Sequence, residues 1–303
     1  MTRVANVAQY DRMVSLIMQA QSQAGEAQLQ IASGRKSQTY QGIAHDASRL
    51  VGIEVSHVRV NQYVDNNSQV EDRLQLMEGS VGQVINIMGQ FKSLLINALN
   101  QGNAVELDLA NQTTEMMKQV STLLNVDLDG RYLFAGSMTG TEPVDLSALP
   151  VSYTIPSSDG DASGYYQADA VLLKVRADDN LDITYGVNAD ALGFEQLIRA
   201  MDMVVKGAPT DTTMLNHALD VVNSASENVT DTRTRIGNAR SSLATIEKSH
   251  QDFLLFAEET ISDLENTDIT LAITRLNETQ VTLEASYMAL SRLSQISLMQ
   301  YIR

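Results

Sequence analysis

The chain has 303 residues, of which 44% are hydrophobic and 5% aromatic, and its formal net charge at pH 7 is −16. This charge disfavours nucleic acids and anionic membrane surfaces as partners, because their phosphate groups would be repelled. Cysteine is absent, which excludes disulfides, thiolate zinc sites and cysteine nucleophiles.

The first 31 residues predict a helix with a heptad repeat. Its seam positions are spaced alternately by three and four residues and include two glutamines: Val7, Tyr10, Val14, Ile17, Gln21, Ala24, Gln28 and Ile31. Residues 33–37 interrupt the pattern, and residues 40–48 predict a loop or turn. The polar N-terminus has no signal-peptide h-region, and no apolar run reaches the ~18 residues of a membrane span. We expect any export to use a route without a cleaved signal.

The second predicted helix begins near Ala47 and ends at the turn residues 100–104. Its seam has no polar member and runs through Val70, Leu74, Met77, Val81, Val84, Met88, Phe91, Leu95 and Ala98. A third helix is predicted over about 105–128. Its weaker seam is Ala110, Thr114, Met117, Ser121, Leu124 and Leu128. Gly130 suits the left-handed position after the end of this helix.

The sequence GRYLFAG at residues 130–136 predicts the exit of the chain from the helical region. We expect residues 131–135 to form a strand, with Tyr132 and Phe134 on one face and Leu133 on the other. The two aromatic side chains would anchor the exit by packing on nearby helices. Gly136 would then release the chain outward.

Residues 137–187 predict a small β-rich outer domain. Alternating apolar runs at 170–177 and 181–187 are typical of strands joined by turns. Three of the four prolines lie between Pro143 and Pro156. The surrounding residues 141–190 hold nine acidic and two basic side chains, so this domain is acidic.

Helical patterns resume after the insertion. One helix is predicted from an N-cap at Asn188 or Asp190 to Gly207. A second begins at Thr210 or Asp211 and runs to about residue 228, and a third covers about 229–265. The stripe of the third is Ile236, Ala239, Leu243, Ile246, His250, Phe253, Ala257 and Thr260. The last helix starts near residues 266–268 and runs almost to the end. Its assembly positions are Ile269, Ile273, Leu276, Leu283, Tyr287, Leu290 and Leu293.

The predicted fold is therefore mainly α with a β-rich insertion, in which the N- and C-terminal halves form a long antiparallel, coiled-coil-like body. We expect terminal segments at 1–45 and 268–303, a helical body at 46–136 and 188–267, and the outer domain at 137–187. Polar residues weaken both terminal seams, so we expect these ends to be disordered in the monomer and to fold on neighbouring subunits.

No constellation in the sequence predicts catalysis, a cofactor or a metal site. The four histidines, His45, His57, His217 and His250, form neither an HExxH nor an HxxxH pair. Phosphate-loop, dinucleotide and nucleophile-elbow signatures are also missing from the sequence. Only the half-polar terminal helices require a partner, which favours self-association.

Both ends of the chain resemble bacterial flagellin-type proteins. The C-terminal run includes DITLAITRL, then QVTLEASY and RLSQISL, which match that family's pattern. The N-terminal segment QLQIASGRKSQTYQGIAHDASRL resembles the matching family segment, although Gln38 and His45 depart from it. Within the family, LDGRYLFAGSMTGTEPV is similar to the hook–filament junction proteins rather than to flagellins.

The resemblance implies a structural role in the extracellular flagellum. Family members of the junction type leave the cell unfolded through the flagellar type III apparatus, guided by a cytoplasmic export chaperone. They self-assemble into a ring between hook-associated protein 1 and the flagellin filament, with their terminal helices in the inner tube. Nucleic-acid binding and membrane insertion are not implied.

Two other functions stay open at this point. The chain could be flagellin itself, the filament subunit. A different class of function would be a ligand-binding module on a helical stalk, with a concave pocket in residues 137–187.

Overall fold

A computed structural model describes the backbone of residues 2–101, 106–149, 163–207 and 211–301. Side chains are described for residues 8–100, 108–149, 164–207 and 211–292. The long helices are α1 (Thr2–Ser33), α2 (Ala47–Gln101), α3 (Glu106–Leu124), α4 (Leu192–Lys206), α5 (Thr212–Glu265) and α6 (Ile269–Tyr301). The strands are β1 (Asp127–Leu128), β2 (Arg131–Tyr132), β3 (Lys174–Asp178) and β4 (Leu181–Thr184). Short 3-10 helices lie at Tyr40–Ile43, Leu146–Ala148 and Ser163–Tyr165.

The chain divides into two compact units. The terminal unit contains residues 1–59 and 252–303, and the central unit contains residues 60–251. Helices α2 and α5 contribute residues to both units. These limits lie further inside the chain than the predicted terminal segments, and the residues of the predicted outer domain fall within the central unit.

In the terminal unit, α1 packs along α6 in antiparallel fashion. The C-terminal end of α1 is joined to the chain before α6 by two backbone hydrogen bonds. The N–H of Lys36 donates to the carbonyl of Glu265 at 2.7 Å, and the N–H of Thr267 donates to the carbonyl of Gly34 at 2.9 Å. Asp268 caps α6, since its carboxylate accepts from the N–H of Leu271 at 3.1 Å.

In the central unit, the apolar core forms around α2. The predicted seam from Val70 to Leu95 is confirmed, because every member is buried, and Ala98 is half-buried. The core also takes side chains from α3, α4 and α5 and from the connecting segments. Its fully buried members run from Val70 to Leu243, so this core is complete within the central unit.

Helix α3 is shorter than predicted, and its buried face is displaced. It ends at Leu124, because the side-chain amide of Asn125 pairs with Val144, donating to its carbonyl at 2.9 Å and accepting from its N–H at 2.8 Å. Among the described α3 side chains, five are buried, and only two of them belong to the predicted seam: Leu109, Thr113, Met117, Val120 and Leu124.

The helix break predicted near residue 228 is wrong, since α5 is continuous from Thr212 to Glu265. No glycine or proline occurs between Thr212 and Ile236, so nothing in the sequence interrupts the backbone hydrogen bonds there. Asp211 caps its N-terminus by accepting from the N–H of Thr213 at 2.9 Å. The N-cap of α4 is Ala191, not Asn188 or Asp190, because the Asn188 side chain instead donates to the carbonyl of Asp169 at 3.1 Å.

The strands of the inserted region are short. β3 pairs with β4 in an antiparallel hairpin, with Lys174 opposite Thr184 and an irregularity between Arg176 and Asp178. The strands predicted at 170–177 and 181–187 are therefore each realised in part. Within the described helices, none is both long enough and apolar enough to cross a membrane.

Candidate assembly surface

Exposed apolar side chains are concentrated in the terminal unit. Of the 23 large hydrophobic side chains that are exposed in the described part of the chain, 16 belong to this smaller unit. They lie on α1, on the first turns of α2, on the last turns of α5 and on α6, with Tyr40 between α1 and α2. A protein that remains a monomer rarely exposes so many apolar groups on one unit.

The buried stripe of α1 differs from the predicted seam at its two glutamines. Ile17 and Ala24 are buried as predicted, but Ala20 and Ala27 take the places expected for Gln21 and Gln28, which are exposed. Val14 and Ile31 are half-buried, and Tyr10 is 46% exposed. The side chain of Val7 lies outside the described side chains. The stripe that α1 buries is thus entirely apolar and narrower than the predicted seam.

Helix α6 divides its predicted positions into two groups. Leu276, Leu283 and Leu290 are half-buried, and Ala272 beside them is buried. Ile269, Ile273 and Tyr287 are between 44% and 50% exposed. The phenol of Tyr287 accepts a hydrogen bond from the side chain of Gln21 on α1. Leu293 lies outside the described side chains.

Twelve of the 16 exposed apolar residues of the terminal unit lie outside the positions predicted from the sequence. Five of the twelve are on α2 and α5, namely Val51, Val55, Val58, Leu255 and Phe256. The three valines are spaced by four and three residues, which is a helix-face signal. Leu255 and Phe256 lie off the predicted stripe of α5, which is the signal that could have identified them as exposed.

The exit segment 130–136 is a hairpin turn followed by a buried loop. Asp129 and Gly130 join β1 to β2, and their φ angles are positive, 56° and 73°. Type I′ turns of two-residue hairpins have positive φ at both central residues. Gly130 is therefore not the C-terminal cap of a helix. Strand β2 covers only Arg131–Tyr132, and Leu133, Phe134 and Ala135 are all buried, so the predicted alternation of faces is wrong.

Phe134 anchors the exit segment. Its ring meets that of Phe194 on α4 edge to face, with centroids 6.1 Å apart. Its carbonyl accepts from the N–H of Ala189 at 2.9 Å, which joins the outgoing chain to the returning chain. Tyr132 is half-buried, so Phe134 is the main anchor.

Asp169 closes the same segment from the inserted region. Its carboxylate accepts from the N–H of Ser137 at 2.8 Å and from the Ser137 hydroxyl, and these bonds lower the pKa of Asp169. Gly136 has φ +60°, and a Cβ added there would overlap Oδ1 of Asp169. Burial raises the pKa of the nearby Asp190, and the charge of Asp169 adds to that shift.

The described residues contain no group of three His, Asp or Glu side chains arranged to hold a metal ion. His250, predicted as a seam residue, is buried and stacks on Tyr63 with centroids 5.9 Å apart. Its Nε2 lies 3.7 Å from Asp178 Oδ1. This cluster joins α5, α2 and the β3–β4 hairpin as packing.

A stable central core combined with an apolar terminal unit defines a class of protein, the helical subunit of a larger assembly. Residues 4–139 match the bacterial flagellin N-terminal helical region, and residues 219–302 match the bacterial flagellin C-terminal helical region. These matches together cover well over half of the chain, which belongs to the bacterial flagellin family of structural proteins of the flagellum.

Individual relatives agree with this family. The chain is 22% identical to flagellar hook-associated protein 3 of Salmonella typhimurium, over 99% of this chain and 100% of the relative. The crystal structure of Bacillus cereus FlgL shares its fold at a TM-score of 0.58 and 17% identity, covering 70% of this chain and 99% of that one. The flagellar junction protein FlgL from Legionella pneumophila has a TM-score of 0.53 at 13% identity, covering 70% and 98%.

Proposed function

We propose that this chain is the adaptor subunit at the junction between the flagellar hook and the filament. In this function it assembles into a ring through its terminal helices, with hook-associated protein 1 on one side and flagellin on the other. The observation that carries the proposal is the concentration of exposed apolar side chains in the terminal unit. Burial of such side chains between subunits would stabilise the ring by roughly 25 cal/mol per Å² of apolar surface.

The two terminal helices are suited to contacts with neighbours because each has a second apolar face. Their contact within one chain uses the stripe that contains Ile17 on α1 and Leu276 on α6. Tyr10 and Ile273 remain exposed beside that stripe and belong to the interface predicted from the sequence. The proposed assembly interface therefore combines buried positions, which form the helix pair, with exposed positions, which contact the next subunit.

The relatives favour a junction adaptor over a filament subunit, since hook-associated protein 3 aligns over the full length of this chain. The GRYLFAG segment supports the same choice by its resemblance to junction proteins. Before export, we propose that a cytoplasmic chaperone covers the apolar face of α6 and prevents premature assembly.

A deletion strain tests the proposal directly. Cells without this chain should keep their hooks, lack attached filaments and release flagellin into the medium, and expression of the chain from a plasmid should restore the filaments. The proposal fails if the deletion strain makes no filament protein while hooks, the other junction proteins and caps are all present. That second outcome would identify the chain as flagellin.

A further inference from the structure

Three valines form an apolar ridge on the first turns of α2. Val51, Val55 and Val58 are 42%, 59% and 68% exposed. Residues four and three apart on a helix lie on the same side, so the three side chains form one continuous strip, here called the valine ridge. β-branched side chains are rigid, so ordering them in a contact costs little conformational entropy.

A second apolar feature lies on the last turns of α5. Leu255 and Phe256 are 66% and 53% exposed, and acidic side chains surround them on the same helix, namely Asp252, Glu259 and Asp263. The neighbouring Glu258 lies 3.8 Å from Nε2 of His57 on α2 of the same chain. Residues 252–268 contain six acidic side chains and no basic one. We call Leu255, Phe256 and the carboxylates of Asp252, Glu259 and Asp263 the acidic ridge.

The negative charge of the acidic ridge favours contact with a surface that carries basic side chains. Two acidic ridges facing each other would bring like charges together, and the net charge of −16 per chain adds to that repulsion. Residues 47–59, by contrast, carry Arg49 and Arg59 against Glu54. Arg59 follows Val55 by four residues and therefore places a positive charge beside the valine ridge.

We propose that the valine ridge of one copy of this chain docks on the acidic ridge of the next copy. This contact rests on the proposed ring function and specifies the surfaces that join neighbouring subunits. Because the two ridges are different surfaces of one unit, the contact is heterologous, and repetition of such a contact generates a ring or a helical array. Apolar side chains meet at its centre and opposite charges surround them, as in specific protein interfaces.

The absence of cysteine from the sequence permits a clean cross-linking test. Two differently tagged copies, one with Val55→Cys and one with Phe256→Cys, are co-expressed in the deletion strain, and isolated flagella are treated with a short thiol cross-linker. The expected product is a cross-link between the two tagged copies. The matched control replaces Val55→Cys with Leu76→Cys, which is also exposed but lies in the central unit, and should give no such product.

Two results would overturn the contact. One is a cross-link between two Val55→Cys copies as strong as that between the different variants, since it would mean an isologous contact. The other is restored filaments without any cross-link between Val55→Cys and Phe256→Cys. In both cases the junction function survives, whereas failure of the wild-type chain to restore filaments would refute that function independently of cross-linking.

Exchange of the charges at residues 59 and 259 tests whether electrostatic attraction contributes to the proposed contact. Arg59→Glu and Glu259→Lys should each reduce the number of filaments per cell several-fold, because each places like charges across the contact. The two changes combined in one chain should restore most of the filaments, since every contact then has opposite charges again. A combined variant no better than its more damaged parent would contradict the proposed pairing.

Discussion

At the scale of single residues, the two glycines of the exit segment share a positive φ but differ in the space around them. Gly130 has positive φ because a tight hairpin turn demands it, and a side chain there would meet nothing within 4 Å. Gly136 has positive φ and also approaches Asp169 too closely for any side chain. The local sequence does not predict this difference, since both glycines flank the same apolar run.

We predict that Gly136→Ala destabilises the central unit by about 2 kcal/mol or more. The strained backbone alone costs about 1–3 kcal/mol, and the new Cβ would also displace the Asp169 carboxylate. Chemical denaturation followed by circular dichroism measures the change. Gly140→Ala is the matched control, because open space surrounds that position and its φ is not positive, and it should leave the unfolding free energy nearly unchanged.

We also predict that the hydrogen bonds of Asp169 make stability depend on pH. Since its folded pKa is lowered from 3.8, Asp169 stabilises the fold above pH 3.8, and this contribution is lost as the pH falls through the lowered value. Ser137→Ala should therefore lower the unfolding free energy at neutral pH, and its difference from wild type should shrink in acid. Ser93→Ala removes a hydroxyl bonded to a backbone carbonyl and should show a constant difference. A constant difference for Ser137→Ala would contradict the prediction.

At the scale of helices, heptad spacing predicts that a stripe of residues is buried, but it does not decide between two rows that differ by one residue. The α2 seam has no polar member and is buried as predicted, because no neighbouring row offers more apolar surface. In α1 the alternative row through Ala20 and Ala27 is less polar than the row through Gln21 and Gln28, and the structure buries the alanines. In α3 the same one-residue displacement brings Leu109 and Val120 into the core.

The continuity of α5 gives a prediction at this scale. Glu227→Pro should destabilise the central unit by about 3 kcal/mol, because proline removes a backbone hydrogen bond and clashes with the preceding turn. Thr212→Pro is the control, since the first turn of a helix tolerates proline. Thermal unfolding should separate the two variants by several degrees. Equal tolerance of both would mean that a helix break lies near residue 228.

At the scale of the whole molecule, the apolar core and most of the exposed apolar side chains lie in different units of the chain. The apolar core runs from Val70 to Leu243, inside the central unit. The terminal unit has a narrow buried stripe and most of the exposed apolar groups. Whether its helices are ordered before assembly stays a prediction of the sequence, which hydrogen exchange of the monomer would test through weak protection of α1 and α6.

Truncation tests this division of the molecule. Removal of about the last 30 residues should abolish ring assembly and leave the cooperative melting of the central unit intact, because none of its core residues is lost. Calorimetry and complementation of the deletion strain measure the two effects separately. Loss of the helical signal together with loss of cooperative melting would show that the central unit depends on α6.

The sequence by itself determined the core seam of α2, the start of α6 near residues 266–268 and the approximate limits of most of the long helices. These features rest on local periodicity and on turn chemistry, which act over a few residues. Only the tertiary structure decided the end of α3 at Asn125, the buried faces of α1 and α3, and the closure of the exit segment by Asp169. The reason is physical, since each depends on groups distant in sequence that compete for the same hydrogen bonds or the same apolar surface.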